Sequence, residues 1–135
     1  EQEEITMKLT TRGRYAFQAL IDLIANSNGK AVKLMDISVR QNLPIAYLEQ
    51  LFRQLRIGGV VKSVRGPGGG YVLAKDPSEI TIQDVLKSVK ELTSYSDVIR
   101  LPETATREGI CAHKVITRLD EAALKVLNQP VSSLL

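Results

Sequence analysis

The chain's 135 residues suffice for one compact domain or a small domain with an appendage, and 44% hydrophobic residues can supply a buried core. A mean hydropathy of −0.04 and the lack of any apolar run of membrane length argue against a membrane span, and a single cysteine excludes an internal disulfide framework. The net charge of +3 is unevenly spread: Lys8 to Lys75 holds eleven Lys/Arg against Asp22, Asp36 and Glu49, a balance of +8, while the rest holds seven against twelve acids, or −5.

A basic first half beside an acidic second half suggests a module that binds a polyanion, joined to a different one. The opening "EQEEIT" is acidic and polar, unlike the start of a secretory signal. Met7 reads as a natural start, which makes residues 1–6 an expected appendage or tail. A reducing cytoplasm is the simplest compartment for a chain with one thiol.

Residues 10–27 read as a helix with Tyr15, Ala16, Ala19, Leu20, Leu23 and Ile24 on one apolar face, capped by Thr10 or Thr11 and ended by Asn28-Gly29. Residues 34–42 make a short second helix, with Leu34, Ile37 and Val39 as its inner positions. Pro44 then suits the first turn of a third helix. Ile45, Leu48, Leu51, Phe52 and Leu55 form the buried stripe of that helix, and Gly58-Gly59 stops it. Two β-type runs follow, 60–64 and 71–74, flanking the tip "RGPGGG". Three helices and a hairpin, with a tight turn before the third helix, give the order of a winged helix-turn-helix.

Beyond Asp76-Pro77, a helix capped near Thr81 turns Ile82, Val85, Leu86 and Val89 inward. Residues 93–109 lack periodicity and read as a loop, and residues 111–128 form a long helix apolar on more than one face. Such a helix should bury one face on its own domain and another on a second subunit, through Val115, Ile116, Leu119, Ala123 and Val126. The terminal "QPVSSLL" is expected to pack on that neighbour or to continue into further chain. The predicted fold is mainly α with a small β-hairpin: a tail at 1–6, a winged helix-turn-helix domain at 7–92, an effector or ligand loop at 93–110, and a dimerisation helix and C-terminal segment at 111–135.

The chemistry of the third helix fits DNA. Near its start stand Ala46, Tyr47, Glu49 and Gln50. Glu49 can accept from a cytosine amino group and Gln50 can pair with adenine. Arg53 and Arg56 suit phosphates, which add affinity without sequence information. Lys62 and Ser63 extend this polar surface along the first strand.

The glycine tip lacks the G-x-x-x-x-G-K-[ST] spacing of a phosphate loop. It also fails the G-x-G-x-x-G dinucleotide pattern, because Tyr71 stands where the last glycine would fall. A wing fits better, with Arg65 entering a narrow minor groove and Gly66, Gly68, Gly69 and Gly70 letting the backbone approach the sugar-phosphate chain. No nucleophile–base pair or carboxylate dyad is visible and there is one histidine, so an enzyme is not expected.

The blocks "MKLTTRGRYAFQAL", "YLEQLFRQLRIGGVVKSVRGPGGGYVLAKD" and "ITIQDVLKSV" closely resemble the IscR-like (IscR/NsrR/RirA/CymR) family of bacterial winged-helix transcription regulators, from about Met7 to Leu92 and more loosely to the end. The resemblance implies a cytoplasmic homodimer, acting as a repressor on a palindromic operator in double-stranded DNA. By position it makes Tyr47, Glu49 and Gln50 major-groove readers, Arg65 the minor-groove residue, Gly66 to Gly70 the wing tip, and Thr11 and Arg12 phosphate contacts. Ala46 replaces a serine able to touch DNA in a relative, so that contact is expected to be lost.

Cluster-binding members take three cysteines from the loop before the long helix, plus one further ligand. Here residues 93–110 contain no cysteine, and only Cys111 and His113 remain as candidate ligands. Two soft ligands do not fill the four positions of a [2Fe–2S] cluster. No metal or cofactor is therefore favoured. An iron–sulfur cluster shared across a dimer, with two Cys and two His, stays as the alternative. A partner protein or a small-molecule effector is the other source of control that the family implies.

Overall fold

The computed structural model describes residues 11–90 and 106–135, except the side chain of Ile116. Helix α1 spans Thr11–Asn26, α2 Leu34–Gln41 and α3 Ile45–Ile57. Strands β1 (Val61–Val64) and β2 (Gly70–Leu73) follow, then α4 (Ile82–Ser88), α5 (Arg107–Leu127) and a closing 3₁₀ turn, Val131–Leu134.

The core is built from the apolar stripes the periodicity predicts. Ala16, Ala19, Leu20 and Leu23 of α1 meet Ile37 of α2, Leu48, Leu51, Phe52 and Leu55 of α3, and Val85 and Val89 of α4. Val39 does not join them: it is 74% exposed, and Leu34 and Ile45 are only half-buried. With eight residues, α2 offers one narrow inner edge, where Ile37 is fully buried and Leu34 packs beside it.

Asp22 lies within this packing at 4% exposure. Its carboxylate accepts from Arg40 Nη2 at 2.8 Å, from Arg40 Nε at 3.1 and 3.2 Å, and from Gln41 Nε2 at 2.7 Å. Gln18 Nε2 in turn donates to Gln41 Oε1 at 3.1 Å, so α1 and α2 are tied by a polar lock as well as by apolar contact. Burial pushes the Asp22 carboxyl up, but the hydrogen bonds from Arg40 and Gln41 and the Arg40 charge outweigh it, leaving it below its ordinary value.

Asn42 adopts a left-handed conformation at φ 53° and ends α2, and its N–H bonds the Ser38 carbonyl. Ser38 Oγ donates to the Leu43 carbonyl at 2.5 Å, and Leu43 is buried. Pro44 then opens α3 with no side-chain cap needed. This three-residue turn sets α3 across α2.

The hairpin pairs Val61 with Leu73, Lys62 with Val72, Ser63 with Tyr71 and Val64 with Gly70. Val32, before α2, bridges to Tyr71 as a one-residue third strand. At the tip the Gly69 N–H bonds the Gly66 carbonyl at 2.9 Å, with Pro67 and then Gly68 (φ 73°) between them, the pattern of a type II turn.

Thr81 and Asp84 cap α4 reciprocally, at 3.1 and 3.0 Å. Helix α5 begins four residues before the predicted Cys111, because Thr106 Oγ1 accepts from the Gly109 N–H at 3.0 Å and Glu108 favours the positive helix start. Residues 107–110 of the predicted loop are thus helical; 91–105 lie outside the described residues.

Among the described residues α5 docks on its own domain by its C-terminal end, where Leu127 and Ala123 meet Ile82, Leu86 and Phe17. The terminal segment returns to the chain's own domain. Val131 is fully buried, its N–H bonds the Ile80 carbonyl at 2.7 Å, and Pro130 bridges to Thr81. The predicted packing of this segment on a neighbour is corrected accordingly for Val131.

Candidate nucleic-acid interface

One face of α3 points away from the core. Ala46, Glu49, Gln50 and Arg53 are exposed there, and among the described residues no side chain or backbone group engages Glu49, Gln50 or Arg53. Tyr47 differs from the reading that put it wholly on this face. It is half-buried, with its ring edge-on to Tyr15 at 5.8 Å and 87°. At that position it anchors α3 to α1 while keeping one side toward solvent.

The start of α1 reaches the same face. Arg12, Tyr47, Gln50 and Arg53 line one shallow cavity of about 310 Å³, with Gln54 and Leu51. Two guanidiniums facing one open volume suit a phosphate oxygen, to which Arg offers a planar fork of donors. Arg12 Nη1 also donates to the Val89 carbonyl at 3.3 Å, which steadies it. Thr11 is exposed beside it. Gln54 was not among the expected site residues. Its spacing, four residues after Gln50 and seven after Tyr47, is the signal that places it on this face.

Lys62, Ser63 and Arg65 are exposed along β1 and at the base of the tip. The glycines of the tip have internal reasons. Gly68 fills the positive-φ position of the turn, and a Cβ on Gly69 would lie 2.4 Å from the Val64 carbonyl oxygen. Gly70 has φ 148°, and its Cβ would lie 2.3 Å from the Val32 carbonyl oxygen. The abundance of glycine is therefore explained by the hairpin's own folding and carries no separate argument for close approach to DNA. Gly66 is exposed and open, with φ 90°.

On α5, Val115, Leu119 and Val126 fall within about 40° of one another at 3.6 residues per turn. They are 57%, 38% and 53% exposed, an apolar stripe that no other described residue covers. Ala123, also expected to face a second subunit, is half-buried against the chain's own α4 cluster. Ile116 lies on α5, with its side chain outside the described set.

Cys111 is exposed and His113 half-exposed near the start of α5. Residues two apart on a helix point about 200° apart, so these two side chains do not converge on one ion. Among the described residues no three His, Cys, Asp or Glu side chains group to hold a metal ion, and no helix is long and apolar enough to cross a membrane.

The comparisons agree with this architecture. The model of the Rrf2 family, described as an iron-dependent transcriptional regulator, matches residues 9–131. The HTH-type transcriptional regulator IscR of Escherichia coli is 53% identical over 85 residues, 63% of this chain and 52% of the relative. The chain thus spans about half the length of the curated relatives it matches.

Among solved structures, CymR (YrzC), the global cysteine regulator of B. subtilis, aligns at a TM-score of 0.81 and 31% identity over 96% of both chains. IscR of T. potens aligns at a TM-score of 0.71 and 32% identity, over 96% of this chain and 87% of that one. These relatives are named as regulators, not enzymes. A glycine-tipped hairpin set beside a helix-turn-helix, and a family match running from the start of α1 to the closing turn, make this chain a member of the Rrf2 family of transcriptional regulators.

Proposed function

We propose that the chain is a sequence-specific DNA-binding transcription regulator, a homodimeric repressor acting on a palindromic operator. The observation that carries the reading is the polar face of α3, with Glu49, Gln50 and Arg53 unengaged among the described residues and Arg12 sharing a cavity with Arg53. In this reading α3 enters the major groove, where Glu49 and Gln50 meet base edges. Tyr47, held by Tyr15, offers its exposed edge. Arg12, Arg53 and Thr11 take phosphates, and Arg65 reaches the adjacent minor groove. The stripe Val115, Leu119 and Val126, with Ile116, joins two copies, which sets two α3 helices for two half-sites.

Control by an iron–sulfur cluster does not fit the residues present. The segment 93–110 supplies no cysteine, and Cys111 and His113 diverge on α5. A partner protein or a small molecule is therefore the effector class proposed here.

The test is selection from a random pool of duplex DNA by the purified protein. An inverted repeat should emerge, with half-site centres about one helical turn, or a multiple of it, apart. A pool that stays random, or a site without two-fold symmetry, would overturn the reading.

A further inference from the structure

A second cationic feature is lined by none of the residues of the cavity shared by Arg12 and Arg53. Arg56 near the end of α3, Lys62 on β1 and Lys75 just past β2 line one open groove of about 570 Å³, with Ser63 and Val61 in its wall. All three cations are exposed. Among the described residues no carboxylate or hydrogen-bond acceptor engages them. The neighbouring acid, Asp76, is turned back on Ser78, accepting from its backbone N–H at 2.9 Å and its hydroxyl at 2.7 Å.

Three exposed like charges facing one volume raise the local positive potential, which favours an anion there. The groove also joins the wing. Lys62 and Ser63 on β1 and Arg65 just past its end are exposed, with the apolar Val64 between them, and from Lys62 to Arg65 the chain covers about 10 Å at the usual rise per residue. Duplex DNA presents one negative charge per about 1.7 Å of axis, so a strip this long faces several phosphates.

We infer that this groove is an additional DNA-backbone contact, occupied by the duplex just outside the segment under α3 and the wing tip. Arg56, Lys62 and Lys75 pair with phosphates there, and the Ser63 hydroxyl donates to a phosphate oxygen. The inference rests on the DNA-binding reading above and adds one property to it: affinity depends on flanking duplex that carries no sequence information.

The experiment measures binding to the selected duplex with long flanks, and to the same duplex trimmed to its outermost contacted base pair, over a range of salt. The parent should lose affinity on trimming. Lys75→Gln should bind the long duplex about three- to tenfold more weakly, with a salt slope shallower by about one per protomer, and should lose little more on trimming. Lys75→Arg should restore the parent's behaviour.

Parental affinity of Lys75→Gln on the long duplex at every salt concentration would overturn the inference, as it would if the groove serves an acidic protein instead. An equal loss on long and trimmed duplexes would overturn it too. In both cases a sustained effect of Arg65→Ala keeps the DNA-binding reading intact. If no duplex is selected, that reading fails and this inference falls with it.

Discussion

Val32 and Tyr71 exchange both of their backbone hydrogen bonds, at 2.9 and 2.8 Å. This single bridge ties the hairpin to the connection between α1 and α2. The Tyr71 ring also lies 5.1 Å from that of Phe52, a core residue of α3. The wing and α3 are therefore held to one frame, as the proposed contact with two grooves at once would require.

The bridge makes Gly70 the most sensitive position of the tip. Its φ of 148° suits glycine, and a Cβ would press on the Val32 carbonyl oxygen. At Gly66 the φ of 90° is strained for other residues, but the space is open. Gly66→Ala should cost about 1–2 kcal/mol from backbone strain. Gly70→Ala should cost more, and should speed amide exchange at Tyr71. Urea unfolding of both variants checks the ranking; equal midpoints would contradict it.

Gly58 is constrained from another side. A Cβ there would sit 1.9 Å from Ser88 Oγ and 2.6 Å from its Cβ, where the end of α3 passes α4. Gly58→Ala should lower stability by about 1–3 kcal/mol through overpacking. Ser88→Gly in the same chain should recover part of that loss. A double-mutant cycle with no coupling between the two sites would refute this contact.

Asp22 gives the fold an acid-sensitive element. Its native carboxyl lies below the ordinary value, because the hydrogen bonds from Arg40 and Gln41 and the Arg40 charge together outweigh burial. The stability it contributes is complete above the unfolded value of about 3.9 and is lost as pH falls through the lower native value. Asp22→Asn should cost about 1–3 kcal/mol near neutral pH. The gap from the parent should narrow below pH ~4. A gap that is constant with pH in chemical denaturation would contradict a charged role for Asp22.

The exposed stripe of α5 predicts the assembly. Leu119→Asp places a charge between Val115 and Val126 and should yield a monomer by sedimentation at concentrations where the parent sediments as a dimer. The substitution leaves the α4 docking of Ala123 and Leu127 in place, so helical content should hold. A parent that sediments as a monomer would remove the stripe's proposed role.

Periodicity made most of the fold legible. The 3.6-residue stripes of α1, α3 and α4 named the helical centre of the core, and the proline and glycines marked the hairpin; Val32, Leu43, Val60, Val61 and Ile80, buried on connections and strand starts, carry no such period. What escaped depends on distant partners. Asp22 reads as a solvated acid until Arg40, eighteen residues on, is placed against it. Val131 reads as part of a loose end until it slides under Ile80. The start of α5 was hidden because the turn at Thr106 precedes the apolar residues and Gly109 interrupts it. The candidate site was legible as a set of residues on one helix face, but the half-buried seat of Tyr47 and the internal reasons for the glycines required coordinates.

The most direct test of the central claim is the affinity of Arg65→Ala for the selected duplex, measured by fluorescence anisotropy against the parent at one salt concentration. Arg65 is exposed and has no partner among the described residues, so its removal should leave the fold unchanged. Binding should weaken by about five- to 150-fold and the preference for A·T pairs at the wing position should relax, in line with about 1–3 kcal/mol for a specific contact. Equal affinity of variant and parent across operator variants would contradict it.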